Sequence, residues 1–376
     1  MDVMNFARTL NDEQRMILDT VREAAAEKLA PAAEAIDHEA ALSPSIRAAI
    51  AELGLYGIDA PESLGGAALG TTSLILATVE IARASVGAAL DFLLTTVRAV
   101  EVLKSSKAAG AAALAEALIA GDLRAAWFSG HEPGLKAADR LGLKIEAHGT
   151  AFLVDGTAQD VLGAPDAQGV LIASADAPVL WIPFDAEGVV IGPKKHRLGA
   201  RAVGVADLAF RNVKVPVDNV LLAGKAAGEA LARSESLMHL GLAAAGAGLV
   251  GAILAQTVGY AKDRRQFGRS ISDFEAMREK IADMQATETT AVELVMAAAA
   301  VFDRGGDGMV AARTARLATS RAVVRAADDG VQVHGGYGFS SEYPAERYYR
   351  DAAYLSAALG GQDILRIDIA KAVVEG

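Results

Sequence analysis

The chain has 376 residues, 52% of them hydrophobic and 22% charged, a composition that supports a large core and excludes disorder as the main state. Its 36 basic and 47 acidic residues give a net charge of −11, which excludes a phosphate-backbone binder but leaves room for a local basic patch that holds a nucleotide cofactor. Cysteine is absent, so disulfides, thiolate metal sites and cysteine nucleophiles are excluded.

Met1 to Leu10 has no basic segment followed by an apolar run, so the expected location is cytoplasmic. The first third reads as helical. Asn11 with Gln14 three residues on predicts a capping box, and Ile17, Val21 and Ala25 follow on one face. Pro31 and Pro44 punctuate later helices, Pro61 to Gly66 reads as a loop, and long Ala/Leu-rich stretches resume from Thr71 to Ala120. From about Leu123 to Leu222 the period changes. Leu143, Ile145 and Ala147 alternate with polar residues, and Phe152 and Val154 follow a turn at His148–Thr150. Leu208, Phe210, Val213 and Val215 continue the strand signal up to Pro216. The helical period returns from about Gly228 to Ala372, broken at Gly305–Gly308.

The expected fold is therefore mainly α with a β middle domain. An N-terminal helical domain spans 1–120, a middle β domain of barrel or sandwich type spans 121–224, and a C-terminal helical bundle spans 225–376. No βαβ alternation supports a doubly wound sheet. Leu240 to Tyr260 is long enough to cross a membrane, but 11 of its 21 residues are Ala or Gly, which favours a closely packed bundle helix. Gly246, Gly248 and Gly251 match G-x-G-x-x-G but sit inside this helical stretch, so helix packing explains them better than a dinucleotide turn. The six histidines form no close ligand pair, and no metal site is expected.

Several segments, in order and across nearly the whole chain, resemble the acyl-CoA dehydrogenase family. They are Glu52–Glu62 with Gly65 and Gly66, His196–Arg201, Leu208–Phe210, Val215–Leu221, Tyr260–Gly268, Gln332–Gly338 and Glu342–Asp351. The resemblance implies the same helical–β–helical architecture, ending in a four-helix bundle. It implies oxidation of acyl-CoA thioesters: a carboxylate removes the α-proton, and the β-hydrogen leaves as hydride to FAD. It places the chain in lipid metabolism, in fatty-acid or steroid side-chain oxidation. It implies a dimer or a tetrameric dimer of dimers, each FAD being shared across a subunit interface. The bundle of one chain then holds the adenosine diphosphate part of its neighbour's FAD, a role that falls here on Arg264, Phe267, Gln332, Gly335 and Gly336.

The rest of the family pattern is altered. The usual catalytic glutamate position is Leu359, and an alkyl group accepts no proton. The alternative base position on the first bundle helix is Met238, followed by His239. Glu235, one turn away, is the nearest carboxylate and a weak candidate base whose ordinary reading is an exposed glutamate; Asp363 is the next. The segment that lines the flavin ends in Lys136 and Ala137 in place of Gly and Ser, and the flavin-stacking strand Trp-Ile-Thr reads Asp160-Val161-Leu162. A carboxylate there would oppose a reduced flavin. Catalytic residues are thus missing while residues serving a neighbour's FAD are kept. The leading reading is a non-self-sufficient subunit that completes the FAD site of a homologous partner in an α₂β₂ hetero-oligomer, with one FAD per heterodimer. The alternatives are a homo-oligomeric dehydrogenase with a displaced base, and a non-catalytic scaffold of the same fold.

Overall fold

A computed structural model describes residues 10–129, 142–174 and 177–375. Helix α1 (Asp12–Ala24) starts in the reciprocal box that its sequence predicts. Asn11 accepts from the Gln14 N–H at 2.8 Å, and Gln14 Oε1 accepts from the Asn11 N–H at 3.2 Å. Val21 and Ala25 are buried, and Ile17 packs on the same core. Pro44 occupies the first turn of α3 (Pro44–Glu52), where the missing N–H has no helical partner anyway, while Pro31 lies at the start of α2 (Ala30–Glu39), which continues α1 through a π-helical stretch (Ala25–Leu29). The domain continues through α4 (Gly70–Ala84), α5 (Val86–Leu93), a π-helical stretch (Leu94–Val100), α6 (Glu101–Lys104) and α7 (Ala111–Ile119). Its interior holds a charge: Asp91, 2% exposed, accepts from Arg47 at 2.6 Å, Arg124 at 2.6 Å and the Tyr56 hydroxyl at 2.9 Å.

The middle domain is one eight-stranded sheet. Its strands are β1 (Ala125–Ser129), β2 (Leu143–His148), β3 (Ala151–Leu162), β4 (Gly169–Ser174), β5 (Ala177–Pro183), β6 (Val189–Ile191), β7 (Val205–Pro216) and β8 (Val220–Leu222). The order is β6-β7-β3-β1-β4-β5-β8, with β2 on β3, and only the β1–β4 pair is parallel. Period-2 alternation gives the sheet two apolar faces. Ala126, Phe128, Val170, Ile172 and Val161 point into the β core, while Trp127, Leu171 and Leu162 pack against the helices. That second face fastens the β domain to the helical core and orients β3 at the junction.

The C-terminal part comprises α8 (Gly224–Asp263), α9 (Glu275–Asp303), α10 (Met309–His334), α11 (Ala345–Ala357) and α12 (Gly361–Glu375). Helix α8 runs 40 residues, and its most apolar 18-residue window is entirely buried, which makes it the central helix of the bundle. The glycine motif inside it is a packing device. A Cβ on Gly248 would collide with the Val79 carbonyl oxygen of α4, and one on Gly251 would collide with Arg83 where it pairs with Glu288 at 2.9 Å. Gly248→Ala is expected to destabilise the protein by about 1–3 kcal/mol, because the clash is with backbone and α4 must move away. Gly246→Ala meets only Thr319 at 3.6 Å and is expected to cost far less. Denaturant titration of the two variants checks the contrast.

Candidate functional site

The ends of α8 and α10 converge. Tyr260 stacks on His334 with ring centres 4.3 Å apart, and its hydroxyl donates to the His334 carbonyl at 3.3 Å. Arg264, the first residue after α8, donates its backbone N–H to Tyr260 O at 2.9 Å and sets its guanidinium 5.8 Å from the Tyr337 ring centre. Helix α10 ends at Gly335, whose N–H returns to the Gln332 carbonyl and whose φ of 58° suits a residue without Cβ. Two motifs 68 residues apart (264 and 332) thus form one tip.

All five sequence-selected residues lie on or beside that tip. Phe267 is 91% exposed and sits on left-handed backbone at φ 51°, an apolar ring held out in water. Gln332, Gly335 and Gly336 are exposed, and a Cβ built on either glycine meets nothing within 4 Å. An open approach to two glycines beside an exposed guanidinium fits a dinucleotide's diphosphate: backbone N–H groups can come close, and the planar cation matches phosphate oxygens. Among the described residues no cluster of three or more His, Asp or Glu side chains is arranged to hold a metal.

Arg316, which sequence reasoning missed, contacts the residues next to the two positions, Met238 and Leu359, where the resemblance places a base. Its guanidinium is 1% exposed, donates to the carbonyls of Leu355 (3.1 Å) and Ala358 (2.7 Å), and meets His239 Nδ1 at 3.2 Å. It therefore ties α8 to the turn between α11 and α12. Leu359 lies in that turn on left-handed backbone at φ 49°, half-buried against the core. Met238 is buried on α8 at 2% exposure. Neither offers an acceptor for a proton.

Glu235 is not the exposed glutamate its sequence context suggests. Its side chain is 23% exposed, 3.3 Å from Arg313 and 3.7 Å from His239 Nε2. Burial pushes its carboxyl up, yet His239 together with Arg98 and Arg313 brings it down to about 2. An arginine always donates, so His239 Nδ1 is the acceptor of the Arg316 contact and the ring proton sits on Nε2, facing Glu235. Burial, opposed by Glu235, lowers His239 to about 4, so at pH 7 the ring is neutral with its lone pair occupied. Asp363 is 88% exposed in the first turn of α12 and pairs with Arg366.

The depressed His239 value has a signed consequence. The unfolded ring takes up its proton near 6.5 and the folded ring near 4, so its contribution is present above 6.5 and is lost as pH falls through that window. Asp351, raised by burial to about 6, changes stability in the opposite sense over part of the same range. The measurement is therefore a difference: the stability of wild type minus His239→Gln is expected to shrink by about 2–3 kcal/mol between pH 7 and pH 4.

The run Asp160–Leu162, expected from the resemblance to face a flavin, lies at the end of β3. Asp160 stands at φ 55° in the irregular stretch between Ala158 and Val161, Val161 points into the β core, and Leu162 packs towards the helices. Asp160 is not the bare carboxylate of the sequence reading. Lys195 bridges it (2.8 Å) and Asp207 (2.6 Å), and Asp207 also accepts the Asp160 N–H at 2.8 Å. Positions 160–162 thus present two carboxylates on one lysine nearby and neither an aromatic ring nor a hydroxyl of their own. The segment with Lys136 and Ala137 lies outside the described residues. Lys195, like Arg316, gave no signal in the sequence: both are single cations whose carboxylate or carbonyl partners come from other elements.

Comparison with known proteins agrees with this architecture. The family model "Acyl-CoA dehydrogenase, N-terminal domain" matches residues 11–122, and "Acyl-CoA dehydrogenase, C-terminal domain" matches residues 234–374. An acyl-CoA dehydrogenase of Bacillus subtilis is 32% identical over 98% of this chain and 99% of its own length. Benzylmalonyl-CoA dehydrogenase of Aromatoleum aromaticum is 30% identical over 97% and 98%. The solved butyryl-CoA dehydrogenase of Megasphaera elsdenii superimposes with a TM-score of 0.91 over 99% of this chain and 100% of its own, at 24% identity, a likeness of fold. A glutaryl-coenzyme A dehydrogenase with bound glutaryl-CoA gives 0.91 over 99% and 97%, at 25% identity. With both terminal domains matched and relatives aligned end to end, the chain belongs to the acyl-CoA dehydrogenase family.

Proposed function

We propose that this chain is the non-basic subunit of a hetero-oligomeric, FAD-linked acyl-CoA dehydrogenase, working beside a homologous chain in the cytoplasm. FAD, when bound, accepts the hydride removed from the acyl-CoA thioester. Arg264 and the backbone of Gly335 and Gly336 hold the diphosphate of the partner's FAD, Phe267 covers its apolar side, and Gln332 donates to it. The partner supplies the base, the flavin-ring pocket and the thioester site.

One contrast carries this reading: Phe267 stands in solvent beside Arg264, while Leu359, at the family's base position, is tucked against the core. A homo-oligomer needs both halves on each chain; a hetero-oligomer needs them on different chains. The displaced-base alternative draws little support, because Glu235 is ion-paired and held near 2, far below a base suited to neutral pH.

Flavin titration tests the proposal. The chain alone is expected to bind FAD far below stoichiometry, and the complex with its partner to hold one FAD per heterodimer. Stoichiometric FAD on the lone chain, bleached by an acyl-CoA, overturns it.

A further inference from the structure

The loop before β7 carries charge that the fold leaves unspent. Lys194, Lys195, Arg197 and Arg201 fall within eight residues of a chain whose net charge is −11. Together with the end of α2 they line a cavity of about 320 Å³, in which Glu39 is the one carboxylate among the lining side chains.

The local pairing can be followed donor by donor. Lys195 is neutralised by Asp160 and Asp207. Lys194 donates to the uncharged carbonyl of Ala40. Arg197 donates Nη1 to Val203 O at 3.1 Å and stacks 4.2 Å from the Tyr354 ring centre. It forms no ion pair with any described carboxylate, and its buried Nη2 has no partner. Arg201 comes only within 3.8 Å of Asp37, which already holds Arg350 at 2.6 and 3.0 Å, and its buried Nε also has no partner. The cavity wall thus carries Lys194 and Arg197 with no carboxylate partner and Arg201 with a distant one, against the single carboxylate of Glu39, an excess of positive charge that a bound anion offsets.

We infer that this cavity is a binding site for a phosphorylated small molecule, separate from the Arg264–Gln332 tip, with Arg197 and Arg201 holding the phosphate and Lys194 adding charge at the rim. Phosphate fits the donor set because each arginine offers a planar fork and the group carries more than one charge to meet three cations. The volume equals roughly ten waters, at about 30 Å³ each, and lies in the range of small-molecule sites, so the ligand is an organic phosphate rather than the bare ion.

Isothermal titration of the full chain with ADP, pyrophosphate and adenosine tests the assignment. ADP and pyrophosphate are expected to bind and adenosine is not. Arg197→Gln and Arg201→Gln are expected to weaken one class of ADP site at least tenfold and Arg197→Lys less, while Arg264→Ala leaves that class unchanged. Arg197 also packs on Tyr354, so Lys194→Gln, on an exposed residue, serves as the variant that keeps the fold; a twofold to fivefold loss is expected there. Absence of binding by ADP, equal binding of adenosine, or loss of ADP in Arg264→Ala with retention in Arg197→Gln each overturns the site.

Discussion

Arg264→Ala is expected to lower the FAD content of the assembled hetero-oligomer at least tenfold while leaving the fold of this chain intact. The side chain makes no ion pair with any described carboxylate, and its guanidinium rests beside the exposed Tyr337, so removing it leaves no buried charge behind. A charge-assisted hydrogen bond to a phosphate contributes about 1.5–3 kcal/mol, and every 1.4 kcal/mol is a factor of ten in affinity. The readout is the ratio of flavin to protein absorbance after gel filtration of the complex, with circular dichroism of the lone chain as control. An unchanged flavin ratio would count for the non-catalytic scaffold, since a tip that touches no cofactor gains nothing from its cation.

The second large effect is structural. Asp91→Ala is expected to cost about 3–5 kcal/mol, because it strips the only carboxylate among the described residues from two guanidiniums, Arg47 and Arg124, and the Tyr56 phenol. Arg47 has a side chain 6% exposed and cannot rotate into water without opening the core. Arg47→Met in the same background is expected to recover part of the loss, because no charge then remains buried at that end. Urea unfolding of the single and double variants measures it. Additive losses would show that Asp91 and Arg47 act independently, against the geometry.

Much of the architecture is legible because its signals are local. The α1 capping box, the proline in the first turn of α3, and the period-2 runs of β2, β3 and β7 depend on residues a few positions apart. The fate of Leu240–Tyr260 is legible from composition, since Ala and Gly suit close helix contact better than lipid. The tip motifs are legible because each of Arg264, Phe267 and the Gln332–Gly336 turn is read within its own short run. The placing of the expected base position at Leu359 rests equally on spacing from Arg350–Ala352.

The state of Glu235 is another kind of fact. Its sequence neighbours describe an ordinary polar helix position; its low pKa comes from His239 one turn away and from Arg98 in the π stretch Leu94–Val100 and Arg313 on α10, 137 and 78 residues away, and only the fold brings the last two to it. Asp160 likewise changes meaning once Lys195 arrives across the sheet junction.

From the chain alone came the helical–β–helical order, the kinship and the two motifs that meet at the tip, all of which rest on which side chain stands where along the backbone. Tertiary structure alone decided which charges are paired, that Arg197 is left without a carboxylate among the described residues, and that Arg316 joins His239 on α8 to the carbonyls of Leu355 and Ala358. Electrostatic partnership is set by distances of a few ångströms between elements far apart in sequence, and no local pattern encodes those distances.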